Sequence, residues 1–368
     1  MATAKELYEE RLNRIKTAVA LGKPDRVPVA PLANAFCARH MGVKMSEFCT
    51  NPEISNKTII RSFSNLGEID ALQSAYFYAP IVGTIWLSRV KLPGRDLPEN
   101  EIWQVDEREL MTVEDYDTIL NEGYNKFFHD YLRDRLDNLG EKVQQIADFA
   151  PKAQKAIEDL GIVLFCGGSF TIPYEIFCGG RSMQSFLKDL YRIPDKVQAA
   201  MDVAIADIIG NVRKMLRATK PIGVWVGGWR SASEFISPRL WKRFVFPYIK
   251  QLVEAVVEEG VVAILHFDSN WTRDLEYLRE LPKGKCVLAL DGATDIFKAK
   301  EVLGDHMCIM GDVPPALLSL GTPDEVHDYC RRLINEIGPS GFILSSGCDI
   351  PPNAKPENVK AMIESVKG

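Results

Sequence analysis

The chain reads as an α/β protein, a (β/α)8 TIM barrel with an N-terminal helical extension and an insertion near the barrel mouth. Three observations predict this. Eight short apolar runs are bounded by Gly, Pro or Asp, and longer stretches of helical spacing separate them. Most of the runs are apolar throughout, as parallel strands buried on both faces must be. The Gly-x-Gly-x-x-Gly turn and following acidic residue of a dinucleotide-binding sheet are absent.

Residues 4–21 set Leu7, Leu12, Ile15 and Val19 at near-helical spacing before Gly22-Lys-Pro24, which predicts an amphipathic N-terminal helix. The apolar runs then fall at 27–31, 71–75, 162–166, 222–226, 261–266, 286–290, 307–310 and 342–345. Helical patterns occupy 194–216, 238–259, 296–303, 323–337 and 356–366. Several open at Pro or just after Ser, Thr or Asp, the residues that suit a first turn with free amides. The polar, turn-rich stretch 86–123 interrupts the alternation and is expected to cover the barrel mouth. With no linker or internal repeat in view, residues 1–368 are expected to form one domain.

Hydrophobic residues at 46% and charged residues at 26% allow a sizeable core without low-complexity tracts. The net charge of −6 comes from interspersed acids and bases, so no footprint for nucleic acid or an anionic membrane is visible. The charged start of the chain lacks the apolar core of a signal peptide, and no apolar run reaches bilayer length. A cytoplasmic protein is the expectation. Eight cysteines without a Cys-x-x-Cys pair are too sparse for a disulfide framework and are expected as thiols.

Barrels of this kind carry their chemistry at the C-terminal ends of strands. The fifth run ends Ala263-Ile-Leu-His266-Phe-Asp268-Ser-Asn270, and residues two apart on a strand share a face, so His266 and Asp268 can converge. Such a pair can ligate a metal or act as a base with its orienting acid; a His that merely fixes a loop is the plainer alternative. The eighth run ends in Gly347-Cys348-Asp349, where the glycine permits a sharp turn that presents Cys348. A thiol there together with a His makes a soft tetrahedral zinc set, although a lone Cys after Gly can equally be structural. Cys308 would sit over ten ångströms deeper than Asp312 at roughly 3.3 Å per residue, and is not a candidate ligand. Asp312 and Asp291, at the ends of the seventh and sixth runs, can support a site or cap a helix. The third run leads through Gly167-Gly-Ser-Phe170 to Tyr174 and Glu175, a candidate substrate shelf with an acid at hand.

At these motifs the sequence resembles the uroporphyrinogen decarboxylase superfamily. The likeness is carried by Arg11-Leu-Asn-Arg-Ile-Lys with Pro24-Asp-Arg-Val-Pro-Val, by Ile236-Ser-Pro-Arg-Leu-Trp-Lys-Arg-Phe-Val-Phe-Pro-Tyr248, and by Met310-Gly-Asp-Val-Pro-Pro running on to Glu325. True decarboxylases of that superfamily carry an early Arg-rich loop that grips substrate carboxylates. The corresponding stretch here, Ala30 to His40, offers only Arg39, so the resemblance points away from that substrate.

The other branch resembles zinc enzymes that move methyl groups to or from corrinoid proteins. Its coenzyme M members carry His-x-Cys at one strand end and a second Cys in a late Gly-Cys motif. His266 and Cys348 match, and Asp268 stands where the middle Cys would be. An oxygen in place of a sulfur hardens the metal site, which implies an oxygen-bearing substrate. The resemblance therefore implies Zn2+ on His266, Asp268 and Cys348, and a corrinoid carried by a partner protein. It further implies a small methyl donor with a methoxylated, aromatic ether group. Glu175 or Tyr174 would serve as proton source, and Phe170, Trp229, Phe267 and Asp312 would line the substrate. The alternatives are a methyl-corrinoid:thiol methyltransferase and a decarboxylase of altered substrate.

Overall fold

A ring of parallel strands organises residues 2–367, the part of the chain that the computed structural model describes. Strand β1 (Ala71–Leu72) pairs with β2 (Val163–Leu164). After a break at Phe165 the path continues as β3 (Cys166–Thr171). This opens a six-stranded parallel sheet with β4 (Gly223–Gly228), β5 (Val262–Phe267), β6 (Cys286–Leu290), β7 (Cys308–Val313) and β8 (Phe342–Ser346). Segment 27–31 closes the ring. Val29 bridges Leu344, whose carbonyl takes the Ala30 N–H and whose N–H goes to Pro28 O, both at 2.9 Å; on the other side Val29 O accepts from Asp70 and Ala71. All eight apolar runs thus become staves of the barrel. The first is the thinnest because Pro28 and Pro31 cannot donate to a ladder.

Alternation along each stave divides the core in two. Ala30, Ala71, Phe165, Ile264, Val287, Ala289, Cys308, Met310 and Ile343 fill the inside of the ring. Their neighbours, among them Leu72, Val224, Val226, Leu265, Leu288 and Ile309, face the surrounding helices. The same period of two carries the inner face upward from Ile264 to His266, from Ala71 to Gln73 and from Trp225 to Gly227. At the opposite end of the ring, Asp70 is fully buried. It accepts from Arg14 Nη1 at 2.5 Å, from Arg26 Nη1 at 2.7 Å and from the Val29 amide at 2.8 Å.

The N-terminal helix spans Ala4–Val19 and starts at a capping box in which Thr3 and Glu6 satisfy each other's amides. The single helix expected over 238–259 is two, Pro238–Phe244 and Phe246–Glu258. Pro247 has no N–H to continue the ladder, which breaks the helix just before it. The stretch 86–123 holds an antiparallel hairpin of Arg89–Lys91 with Gln104–Asp106 and a helix at Glu114–Glu122. It leans on the loop after β4, where Trp86 meets Trp229 edge to face at 5.2 Å and Glu107 pairs with Arg230 at 3.3 Å. Among the described residues no helix is long and apolar enough to cross a membrane, and all eight cysteines are free.

Candidate metal centre

β5 delivers His266 and Asp268 to one side of the mouth. The Asp268 N–H donates to Gly228 O at 3.0 Å, its carbonyl accepts the Trp271 indole N–H at 2.7 Å, and Ser269 N–H is tied to Asp291 Oδ2 at 2.8 Å. Beyond β8, Gly347 passes so close to the Asp291 backbone that a Cβ would lie 2.6 Å from its carbonyl oxygen. Close approach, rather than a turn that only glycine can make, is what that position demands. Cys348 follows, fixed on one side by Ser346 Oγ donating to its carbonyl at 2.7 Å. On the other, the neighbouring Asp349 carboxylate accepts from the Asn34 N–H and from Asn34 Nδ2, each at 2.8 Å.

These supports bring three donor atoms together. His266 Nε2 lies 3.6 Å from Cys348 Sγ and 3.5 Å from Asp268 Oδ1, and one ligand atom from each residue falls within 4.8 Å of the others. Burial sets their proton affinities. The imidazole is pushed down to about 4, the Asp268 carboxyl up to about 7 with help from the Asp291 charge, and the Cys348 thiol well up. Trp225 stacks flat on the imidazole, centroids 4.3 Å apart and planes 3° off parallel, so the ring is held in one plane. His266 Nδ1 and Asp268 Oδ1 are buried and lack hydrogen-bond partners, which is costly unless something else is there to bind. A nitrogen, an oxygen and a sulfur converging in this way fit a divalent ion of zinc's softness with one position left open.

The remaining candidate residues lie in several places. Phe267 is fully buried on the helix side, stacked on Trp271 at 4.0 Å. The alternation that points His266 and Asp268 inward requires this, so Phe267 is not at hand for a substrate ring. Phe170 pairs in register with Val226 and packs into the same outer core, which removes it from the shelf expected there. Asp312 turns to the outer layer, its Oδ1 accepting from Tyr329 OH at 2.8 Å, and burial holds its carboxyl up at about 7. Tyr174 is buried against Phe186 with its hydroxyl unpartnered, too enclosed to shuttle a proton. Glu175 is also fully buried. Its Oε1 accepts the N–H groups of Trp229, Arg230 and Ser231 at 2.8 Å and Ser231 Oγ at 2.7 Å, so it anchors the loop after β4 while burial pushes its carboxyl up. Trp229 does reach the mouth. Its ring fills the space where a Cβ on Gly227 would be, and Gly227 is the register partner of His266.

Two residues at the site went unnoticed in the sequence, Trp225 and Gln73. Both lie on inward positions of staves, and a polar or indole side chain at such a position is the signal that marks them. Gln73 lines a narrow cleft, too small to hold a water, together with His266, Met310, Ser345 and Cys348.

Comparison with known proteins agrees with this architecture. The family described as Uroporphyrinogen decarboxylase (URO-D) matches residues 121–368. The chain is 25% identical over 364 residues to the uroporphyrinogen decarboxylase of Geobacter metallireducens, spanning 94% of this chain and 95% of that protein. To the protein of the same name from Chlorobium phaeobacteroides it is 27% identical over 243 residues, 63% of this chain and 67% of that one. A solved methyltransferase from Methanosarcina mazei superposes with a TM-score of 0.72 at 19% identity, covering 99% of this chain and 98% of the other, which shows a shared fold.

Proposed function

For a chain that belongs to the uroporphyrinogen decarboxylase family, we propose a zinc-dependent methyltransferase that moves a methyl group from a methoxylated, aromatic ether to the Co(I) corrinoid of a partner protein. The observation that carries the reading is the convergence of His266 Nε2, Asp268 Oδ1 and Cys348 Sγ at the mouth. Zinc held there would act as a Lewis acid on the ether oxygen.

The chain's own residues supply the rest. His266 is kept neutral by burial and flat by Trp225, so a lone pair on Nε2 is free to bind. Asp268 contributes a hard oxygen, which favours an oxygen-bearing donor over a thiol acceptor. Trp229 and Trp86 present an aromatic wall beside the site, held by the Glu175 grip on the loop. Transfer of the methyl carbon to cobalt breaks its bond to oxygen and leaves the electron pair there as phenolate, which then takes a proton.

The decarboxylase reading draws on the names of the curated relatives. Against it, residues 30–40 provide one arginine, Arg39, and that side chain is exposed rather than turned into the barrel. Purified protein is expected to carry about one zinc per chain and, with a methoxyarene, to methylate a Co(I) corrinoid protein. Methyl-corrinoid consumed only with a thiol would move the assignment to the thiol branch. Absence of Co(I) methylation with every ether tried would overturn the proposal.

A further inference from the structure

Where the strands begin, the N-terminal helix lies across the ring and closes it only in part. Ile15 and Val19 of that helix and Phe165 are buried, yet beside them Ile222, Val257 and Val262 stay half-buried. These six residues border a cavity of about 460 Å3, a size at which proteins hold small ligands. A second hollow of about 380 Å3 adjoins it, sharing Lys220, Pro221, Gly260 and Val261, so the space continues past the end of the helix Pro194–Thr219. Three lysines stand around the cavity, Lys16, Lys220 and Lys285, and no acid lines it. All three are exposed, and among the described residues none joins an ion pair, in a chain of net charge −6 where lysines such as Lys126 and Lys250 find carboxylates. A lysine near a helix end meets unpaired carbonyls, which accounts for Lys16 and Lys220 taken singly. It does not account for Lys285, which precedes β6, or for three cations around one apolar floor. Lys220 also holds a left-handed backbone, φ 46°, where glycine would sit without strain.

We propose that this cavity is a second ligand site, which takes a medium-chain aliphatic carboxylate: the chain lies on the apolar floor and the carboxylate among the three ammonium groups. The floor selects a chain over a flat ring, since Ile, Val and Pro side chains make up most of it and its one aromatic, Phe165, is fully buried. Lysines suit the head group because a compact ammonium on a flexible stem can follow a carboxylate without a fixed geometry. Covering the half-buried Ile222, Val257 and Val262 removes apolar surface from water, which supplies the binding energy that three exposed charges alone do not. The site is separate from the metal centre: Val262 opens β5, and His266 lies four residues further along it, roughly 13 Å away at the usual rise.

The test is calorimetric titration of the purified protein with dodecanoate, kept below the concentration at which it forms micelles. One saturable site per chain is expected, with an affinity that falls as NaCl is raised. The double variant Lys16→Glu/Lys285→Glu, changed only at exposed positions, should bind dodecanoate about tenfold more weakly. Val257→Trp, which fills the floor, should abolish binding and leave the zinc content at the wild-type level. Circular dichroism reports whether each variant is folded. Absence of saturable binding to the wild type overturns the proposal. So does binding that both folded variants keep unchanged, or binding that a methoxyarene displaces, since either places the chain elsewhere. A wild-type dimer that the charge-reversed variant turns into a monomer, with no dodecanoate bound by either, gives the face to a second copy and overturns it equally. None of these outcomes bears on the metal centre.

Discussion

The two ends of the barrel treat buried polar groups in opposite ways. At the end where the strands begin, Asp70 is fully enclosed and each of its neighbours answers it: Arg14, Arg26 and the Val29 amide all donate at 2.5–2.8 Å. At the end where they finish, His266 Nδ1, Asp268 Oδ1, Gln73 Oε1 and Trp225 Nε1 are buried and unanswered. Leaving such groups unpaired costs roughly 1–3 kcal/mol each. A chain that satisfies one end and tolerates strain at the other has separated what holds the ring together from what the ring is for.

Replacing Cys348 by Ala attacks this contrast most directly. Metal content should fall to background and methyl transfer by at least about 10^3-fold, while the metal-free protein stays within about 1 kcal/mol of wild type in urea unfolding. A large loss of apoprotein stability would mean that the mouth is structural after all. At the other end, Asp70→Asn should lower stability by about 3–5 kcal/mol, since it strips Arg14 and Arg26 of a buried counter-charge. Zinc per folded chain should not change; a drop would break the separation.

Asp312 sharpens the comparison through pH. Burial holds its carboxyl up at about 7 against 3.8 for a free side chain, so between those values the folded chain binds a proton that the unfolded chain does not. Its cost to stability is therefore absent below about pH 4, grows as pH rises from 4 towards 7 and is full above about 7. Asp312→Asn keeps the acceptor for Tyr329 and should stabilise the protein by about 2–4 kcal/mol at pH 8, with the two denaturation curves merging near pH 4. The smallest effect is expected for Glu175→Gln, in which an amide replaces a carboxylate among N–H donors. A loss of about 2 kcal/mol should appear as hydrogen exchange roughly 30-fold faster at residues 229–231.

Much of this could be read from the residues. The eight staves were visible because strands covered on both sides are apolar on both sides, and the His266–Asp268 pairing followed from the period of two. That rule also contained the answer to Phe267, which must face away whenever its neighbours face in, although the resemblance implies that it lines the substrate. Phe170 failed for the same reason. Tyr174 and Glu175 were legible as a helix start but not as buried groups, because what encloses them comes from the helix beginning at Met183 and from residues 229–231. Helices such as Pro52–Ser64 and Leu139–Glu158 went unassigned, the latter carrying Pro151 in its interior, which reads as a break. Gln73 was hidden because the run 71–75 shows its inward face only once Ala71 is known to point into the ring, and only then does the polar residue two positions on stand out.

Asn34 grips Asp349 through two hydrogen bonds across 315 positions of chain, one residue past Cys348. Synthesis proceeds from the N-terminus, so Asn34 is made well before the partner it will hold. The sulfur reaches its place beside the imidazole only when the final stave slots in against segment 27–31. Nascent protein stalled before Cys348 is translated should therefore bind no zinc at the proposed centre.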